Sequence, residues 1–504
     1  MITPPLSTMI FLPLLAGLVV LVLPLGRESA RAVGLAVAVL MAAFSINLFA
    51  LFDPISGGFA FYESYPLVPA LGIGYRLGVD GLSLLLLVAA GALFPVVYLL
   101  FSTKSRGYYG CLLIVQGTMI GAICAADLVL FYFFYELMLL PIFFMIGLYG
   151  GPNRVGATLK ITIYTIAGSL LMLASCVYLG VVYQAQSGVW SFAVADLATL
   201  RLSGTVATIA LLGFVLAFAV KIPLFPLHTW LPDAYTEAPP AATFVLSAIM
   251  AKIGAYGVLR FVLPIFPEPL GKISLLLAFL AVVGMAYCGI AALGQRDMKR
   301  LLAFCSASHM GIIGVGLFCL NVQAITGVLY QMVAHATSVG LLFLLAGLIE
   351  ERTSSRDIES FGGLGGQAPL FSVFFMVALL GSVGLPGTAS FIGEFLIIVG
   401  AVKFNLVIGI LAGTSMIIAV TYMLWLFGRV FFGPRTKTAT TMRDLTPIES
   451  LTVLPLIVLI VVMGLFPGPF IDKIEPAADT LSAQVSRSSA AAGAILAQRG
   501  DGDG

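Results

Sequence analysis

Residues 205–228 read TVATIALLGFVLAFAVKIPLFPLH. The uncharged run from Thr205 to Val220 is apolar enough to enter a bilayer, yet it ends on Lys221, with Pro223 and Pro226 following at once. A lysine within a span costs about 2.5–3.5 kcal/mol even on a lenient insertion scale. Proline removes a backbone donor, and its ring clashes with the preceding turn. A segment that carries both is predicted to break beside Lys221. The break should be buried in protein or line a watery cavity, because lipid cannot satisfy freed backbone groups.

Outward from this segment, apolar windows of about 20 residues recur along the whole chain. They predict fourteen helices, near 8–25, 31–52, 81–101, 109–126, 128–149, 160–183, 205–227, 240–263, 273–294, 301–320, 323–349, 370–402, 405–432 and 450–467. Composition agrees, since 60% of the 504 residues are hydrophobic and only 10% are charged. The predicted fold class is therefore an all-α integral membrane protein of about 14 transmembrane helices, in a single membrane domain spanning 1–504. The first run lacks a basic leader and a small-residue cleavage site, so it reads as a retained helix rather than a signal peptide. The net charge of +2 leaves no footprint for nucleic acid.

Fifteen basic residues fall on one set of alternate loops: Arg27, Arg31, Lys104, Arg106, Arg154, Lys160, Arg296, Lys299, Arg300, Arg352, Arg356, Arg429, Arg435, Lys437 and Arg443. Seven fall on the other set: Arg76, Arg201, Lys272, Lys403, Lys473, Arg487 and Arg499. The richer set marks the cytoplasmic side. Both termini are then expected on the positive, periplasmic side of a bacterial inner membrane.

A second span is punctuated in the same manner, by Gly384-Leu-Pro-Gly-Thr within the twelfth. Broken helices 7 and 12 in corresponding halves point to two inverted-topology five-helix repeats. The domain reading is 1–107 for helices 1–3, 108–264 for the first repeat (helices 4–8), 265–435 for the second (helices 9–13), and 436–504 for helix 14 with a polar tail.

Once loop charges are set aside, the ionisable groups deep within spans are Glu136 in the fifth, Lys221 in the seventh, Lys252 in the eighth, His309 in the tenth, His335 in the eleventh and Glu394 in the twelfth. Glu136 to Lys221 and His309 to Glu394 are both separated by 85 residues. An acid and a base that approach or separate can gate each other's protons. At an effective dielectric near 20, a pair about 4 Å apart is worth about 4 kcal/mol. Moving one proton against about 100 mV costs roughly 2.3 kcal/mol, so one such pair is an adequate lever for uphill transport.

Each residue also has a plainer reading. Glu136 and Lys221 could form a structural ion pair, Glu394 could cap amides freed by its helix break, and His309 and His335 could be core histidines satisfied by neighbouring polar groups. Arg260 reads as a side chain snorkelling at the boundary. His228, Asp233 and Glu237 sit at the loop side of the seventh span, as an intake funnel or a solvated turn. The six cysteines form no CxxC pair and read as small buried hydrophobes.

Several stretches together resemble the antiporter-like subunits of respiratory complex I, the NADH:quinone oxidoreductase. They are Leu77-Gly-Val-Asp-Gly-Leu-Ser, Phe134-Tyr-Glu-Leu, Val220-Lys-Ile-Pro-Leu-Phe-Pro-Leu-His-Thr-Trp-Leu-Pro-Asp-Ala, Ala251-Lys-Ile-Gly-Ala-Tyr-Gly, Ser306-Ala-Ser-His-Met-Gly, Gln331-Met-Val-Ala-His and Gly384-Leu-Pro-Gly-Thr-Ala-Ser-Phe-Ile-Gly-Glu-Phe. The resemblance covers about residues 70–470. Lysine in the eighth helix and glutamate in the twelfth match the M-type branch, whereas L- and N-type members and sodium/proton antiporters place lysine in the twelfth. The short tail also lacks the long lateral helix of the L type. The resemblance implies a proton-translocating membrane-arm subunit, with Glu136 and Lys221 as a coupling ion pair, Lys252 as a central relay, Glu394 as a terminal proton site, and His309 and His335 lining the axis between them. It implies no cofactor in this chain, with NADH, FMN, iron-sulfur clusters and quinone held by partner subunits, and L- and N-type subunits as neighbours. The rival reading is a subunit of a sodium/proton antiporter complex.

Overall fold

A computed structural model describes residues 5–54, 58–102 and 105–500, without the side chains of 488–500. Met1–Pro4 and Lys104, used above for the leader and the orientation, lie outside the described residues, as does the side chain of Arg499.

Among the described residues, eleven helices are long and apolar enough to cross a membrane, and Leu6–Val22, Leu84–Leu100 and Pro369–Ser382 are shorter apolar helices. Together they occupy all fourteen windows. The spans that matter below are the fourth (Arg106–Cys124), fifth (Leu128–Tyr149), seventh (Gly204–Lys221), eighth (Pro240–Ile265), ninth (Pro267–Leu293), tenth (Met298–Phe318), eleventh (Val322–Thr353) and thirteenth (Leu406–Phe431). The eighth and eleventh are buried over 100% of their most apolar windows and the tenth over 94%, whereas Arg27–Leu51 and Pro447–Leu465 reach only 33%. A helix apolar on every side belongs in a core or in lipid; here the helices that carry ionisable groups take the core, and the peripheral ones face lipid.

Both breaks fall where the prolines put them. The seventh span stops at Lys221, and helix resumes only at Trp230–Glu237. Trp230 Nε1 reaches back to the Val220 carbonyl at 2.8 Å, and Leu224 N to Ala219 O at 2.8 Å, so freed acceptors are satisfied within protein. The twelfth span stops at Ser382 and resumes as Ala389–Phe404. Gly384 (φ +71°) and Gly387 (φ +93°) supply the left-handed turns between the two parts.

Three features depart from the sequence reading. The eighth span is not a plain α-helix: wider π-helical turns at Leu246–Met250 and Val258–Val262 flank the Ala251–Gly257 segment that holds Lys252. Ala60–Val68 (β1) and Ile73–Val79 (β2) form an antiparallel hairpin, so the fold is not wholly helical. The hairpin lies between apolar windows, where backbone outside hydrocarbon is free to adopt an open two-stranded form. The tail read only as polar is a helix, Gly468–Gly500, packed across the ends of the third, eighth, ninth and eleventh spans.

Candidate functional site

Lys221 is the last residue of its helical segment and is fully buried. Its ammonium sits over the Tyr135 ring, 4.4 Å from the centroid, and has no protein hydrogen-bond partner. Tyr135 is fixed by its hydroxyl, which donates to Ala217 O at 3.1 Å. Half-buried Glu136, the next residue, feels the Lys221 charge. Among the described residues no direct ion pair joins the two, and Glu136 Oε1 is likewise unpartnered. The structure thus brings the expected pair into one neighbourhood and holds it open.

The eighth span presses against this point. A Cβ on Gly254 would stand 2.8 Å from Lys221 Cβ, so only glycine permits the approach that brings the Lys252 helix beside Lys221. The ammonium of Lys252, fully buried, hydrogen-bonds to the Ser247 carbonyl and to His335 Nδ1, the latter at 2.6 Å. Ser247 lies within the first π-helical turn, and an extra residue per turn leaves carbonyls free to accept from elsewhere. Two full positive charges about 2.6 Å apart would repel by about 6 kcal/mol at a dielectric near 20. Lys252 and His335 therefore do not both carry a full charge at this separation.

From His335 the polar file continues. Its Nε2 lies 3.3 Å from Ser306 Oγ, and its ring meets that of His309 edge-on, with centroids 5.9 Å apart. His309 Nδ1 lies 3.0 Å from Glu394 Oε1, which also accepts from Gln331 Nε2 at 3.0 Å. Glycine again allows the contact: a Cβ on Gly393 would stand 2.6 Å from Gln331 Oε1. On the other side, a Cβ on Gly384 would stand 3.0 Å from Glu394 Oε2, so the break of the twelfth span folds directly over the carboxylate. Glu394 is thus held by side-chain donors and is more than a cap for freed amides.

Of the six residues expected to act, four form two hydrogen-bonded pairs whose imidazole rings meet, Lys252–His335 and His309–Glu394, while Glu136 and Lys221 stand open at the near end. Ser306 and Gln331 complete the file. Their signal in the sequence was polarity three or four residues, about one turn, from a buried histidine on the same helix.

Several charges sit differently from expectation. Arg260 does not snorkel: it is 4% exposed, pairs bidentately with Asp80 at 2.5 and 2.6 Å, and its Nε donates to Tyr256 Oη at 2.9 Å. Lys299, counted among the loop charges, is 2% exposed, donates to Ala238 O at 2.7 Å and lies 3.3 Å from Glu350. Asp233 bridges Lys160 at 2.7 Å and Arg300 at 2.8 Å, tying the turn after the seventh span to the sixth and tenth. Glu237 accepts from Asn153 N at 3.0 Å, and His228 is packed between the rings of Phe225 and Tyr287. These three are tied into protein contacts. The cysteines are free and buried, as read.

Two broken helices in one membrane bundle, each beside members of a file of buried acids and bases, define an antiporter-like membrane subunit. Residues 125–428 match the family described as NADH:quinone oxidoreductase/Mrp antiporter, transmembrane. The chain is 37% identical over 487 residues to NADH-quinone oxidoreductase subunit M of Rhodobacter capsulatus, covering 94% of this chain and 95% of that one. It is 36% identical over 516 residues to subunit M of Mycobacterium tuberculosis, covering 94% and 93%. A chain of respiratory complex I from Thermus thermophilus superposes with a TM-score of 0.88 at 33% identity, over 95% of this chain and 99% of that one. The Mrp complex of a Dietzia species matches with a TM-score of 0.85 at 21% identity over 96% and 99%, which is a likeness of fold. The chain belongs to the subunit M family of NADH-quinone oxidoreductase, multi-pass membrane proteins of the antiporter-like class.

Proposed function

We propose that the buried file Lys252, His335, His309 and Glu394 conducts protons between the two halves of the bundle, and that Glu136 and Lys221 form the switch that loads it. The observation that carries this reading is the hydrogen-bonded contact of Lys252 with His335 in the bilayer core, continued by His309 to Glu394. Closing the open Glu136–Lys221 pair holds the positive charge at Lys221, and opening it releases a proton towards Lys252. The carboxylate of Glu394 receives the proton at the far end.

The chain works on this reading as part of an NADH:quinone oxidoreductase without housing the redox step. NADH, FMN, iron-sulfur clusters and quinone belong to partner subunits, and L- and N-type antiporter-like subunits flank it in a bacterial inner membrane. Both termini lie on the periplasmic side. The halves correspond to inverted repeats over 108–264 and 265–435; in support, each carries one broken helix and one glycine contact beside its central charge.

The test is NADH-driven proton pumping beside NADH:quinone turnover, in membranes carrying Glu136→Ala or Lys221→Ala in a complex shown by native gel to be assembled. Pumping is expected to fall at least about tenfold, the effect of roughly 1.4 kcal/mol added to the limiting transfer. Native pumping in both variants would make the pair structural and the mechanism wrong.

A further inference from the structure

At the far side of His309 lie two buried polar atoms that the mechanism above does not use, each with at most a weak sulfur partner. One is His309 Nε2, the ring nitrogen turned away from Glu394; the other is the hydroxyl of Tyr422 on the thirteenth span, a fully buried residue. Cys305, on the tenth span one turn from His309, lies beside both, and the Tyr422 hydroxyl also feels the Glu394 carboxylate. Buried polar atoms are nearly always satisfied, and each exception asks for an explanation. Gathered at one thiol, the two mark a polar cluster within the apolar core.

The place of this cluster is informative. Cys305 lies between His309 and Met298, the end of the tenth span that carries Lys299 and Arg300. Tyr422 is likewise nearer to Phe431, the end of the thirteenth span beside Arg429, than Ala412 or Ser415 on the same buried face. Beyond it, at the rim of that basic face, a cavity of about 220 Å³ is lined by Gln295, Arg296, Glu359, Trp425 and Arg429, among others. Trp425 and Arg429 follow Tyr422 by three and seven residues and so share its helix face. By position along these two helices the cavity, Tyr422 and His309 succeed one another inward from the basic face, Tyr422 lying one turn beyond the cavity's Trp425.

We propose that Tyr422 is a proton-carrying residue of a second intake, which runs from the cavity at Arg296 and Arg429 to His309 Nε2 and by-passes the Glu136–Lys221 switch. In each transfer the Tyr422 oxygen accepts a proton from water on the cavity side and gives its own hydroxyl proton to His309 Nε2. The tyrosine stays neutral, His309 gains one positive charge, and that charge leaves when Glu394 takes the proton from Nδ1; the imidazole then reorients or exchanges tautomer, which frees Nε2 to accept again. The two intakes let the second half be refilled from the basic face while Lys252 is still protonated.

The inference rests on His309 and Glu394 carrying protons, and its test separates the two claims. In proteoliposomes holding the whole assembled complex, NADH-driven proton uptake is compared with NADH:quinone turnover for Tyr422→Phe, Tyr422→His and His309→Ala. Tyr422→Phe keeps the ring and removes only the hydroxyl; it is expected to lower protons moved per NADH at least twofold with native assembly. Tyr422→His restores a proton-bearing atom and is expected to recover most of that loss, with a pH dependence that the native complex lacks. Native coupling in Tyr422→Phe beside lost coupling in His309→Ala overturns the second intake alone. Equal losses in Tyr422→Phe and Tyr422→His make Tyr422 a packing residue and also overturn it. Native coupling in His309→Ala overturns the underlying reading as well.

Discussion

The two halves of the bundle break one helix each, but they place charge on opposite sides of the break. In the first half Lys221 ends the segment before the break; in the second, Glu394 stands in the second turn of the segment after it. The sign of each charge suits its helix end, because carbonyls accumulate partial negative charge at a C-terminus and amides partial positive charge at an N-terminus. That field acts within about one turn, so it reaches Lys221 strongly and Glu394 weakly. The difference shows in their partners. Lys221 rests on an aromatic face with no hydrogen bond, while Glu394 is clasped by His309 and Gln331. One half is poised to change and the other to hold, and the apparent mismatch between the two motifs is a consequence of helix polarity.

The largest effect is expected at Lys252, the residue that links the two halves on this reading. Lys252→Met keeps the length of the side chain and removes its charge, which leaves His335 Nδ1 and Ser247 O without their shared donor. Proton pumping is expected to fall by about 10² or more, the scale on which a positioned proton-transfer group acts, with the complex still assembled. Pumping within twofold of native would break the comparison, because the two halves would then work without a link.

A smaller effect separates closed pairs from open ones. Asp80 and Arg260 are bidentate and buried, and they tie the loop after the hairpin to the eighth span. Asp80→Asn is expected to destabilise by about 3–5 kcal/mol, since it strands a buried guanidinium. Asp80→Leu with Arg260→Leu together should recover most of that stability. The measurement is thermal unfolding of the purified complex. Burial pushes the Asp80 carboxyl up, but Arg260 and the donors of Ser83 outweigh it and hold it below its usual value. The pair's contribution is therefore present above the ordinary carboxylate range and lost as pH falls through the lowered value. Acid should melt the native complex sooner than the double variant.

Much of this arrangement was legible in the sequence, for a physical reason: hydrocarbon makes every buried charge and every proline conspicuous. Lys221, Lys252, His309, His335 and Glu394 stood out against apolar runs, and both breaks lay at the prolines. What escaped notice was whatever does not depend on hydropathy. The π-helical turns around Lys252 leave the apolar pattern unchanged, since one extra residue per turn is invisible among residues that are all apolar. The hairpin at Ala60–Val79 falls between windows, where hydropathy says nothing. Arg260 and Lys299 were misplaced because a charge near the end of a span reads the same whether it snorkels or finds a partner; only the fold brings up Asp80 and the Ala238 carbonyl. Tyr422 was passed over because a tyrosine in an apolar run looks like ordinary core.

The smallest expected effect tests how firmly the second half holds. Gln331 supplies one of two donors to Glu394 Oε1, and a hydrogen bond to a charged group contributes about 1.5–3 kcal/mol. Gln331→Ala removes that donor and leaves His309 as the remaining clasp, so the carboxylate is held less firmly. NADH-driven pumping is expected to fall only severalfold, with the complex still assembled. Gln331→Glu sharpens the point: a second carboxyl beside Glu394 competes for the His309 charge, and its effect should exceed that of alanine. If both substitutions left pumping at the native level, Glu394 would be held by the fold rather than by its donors. The contrast with Lys221 would then reduce to the position of each residue along its helix.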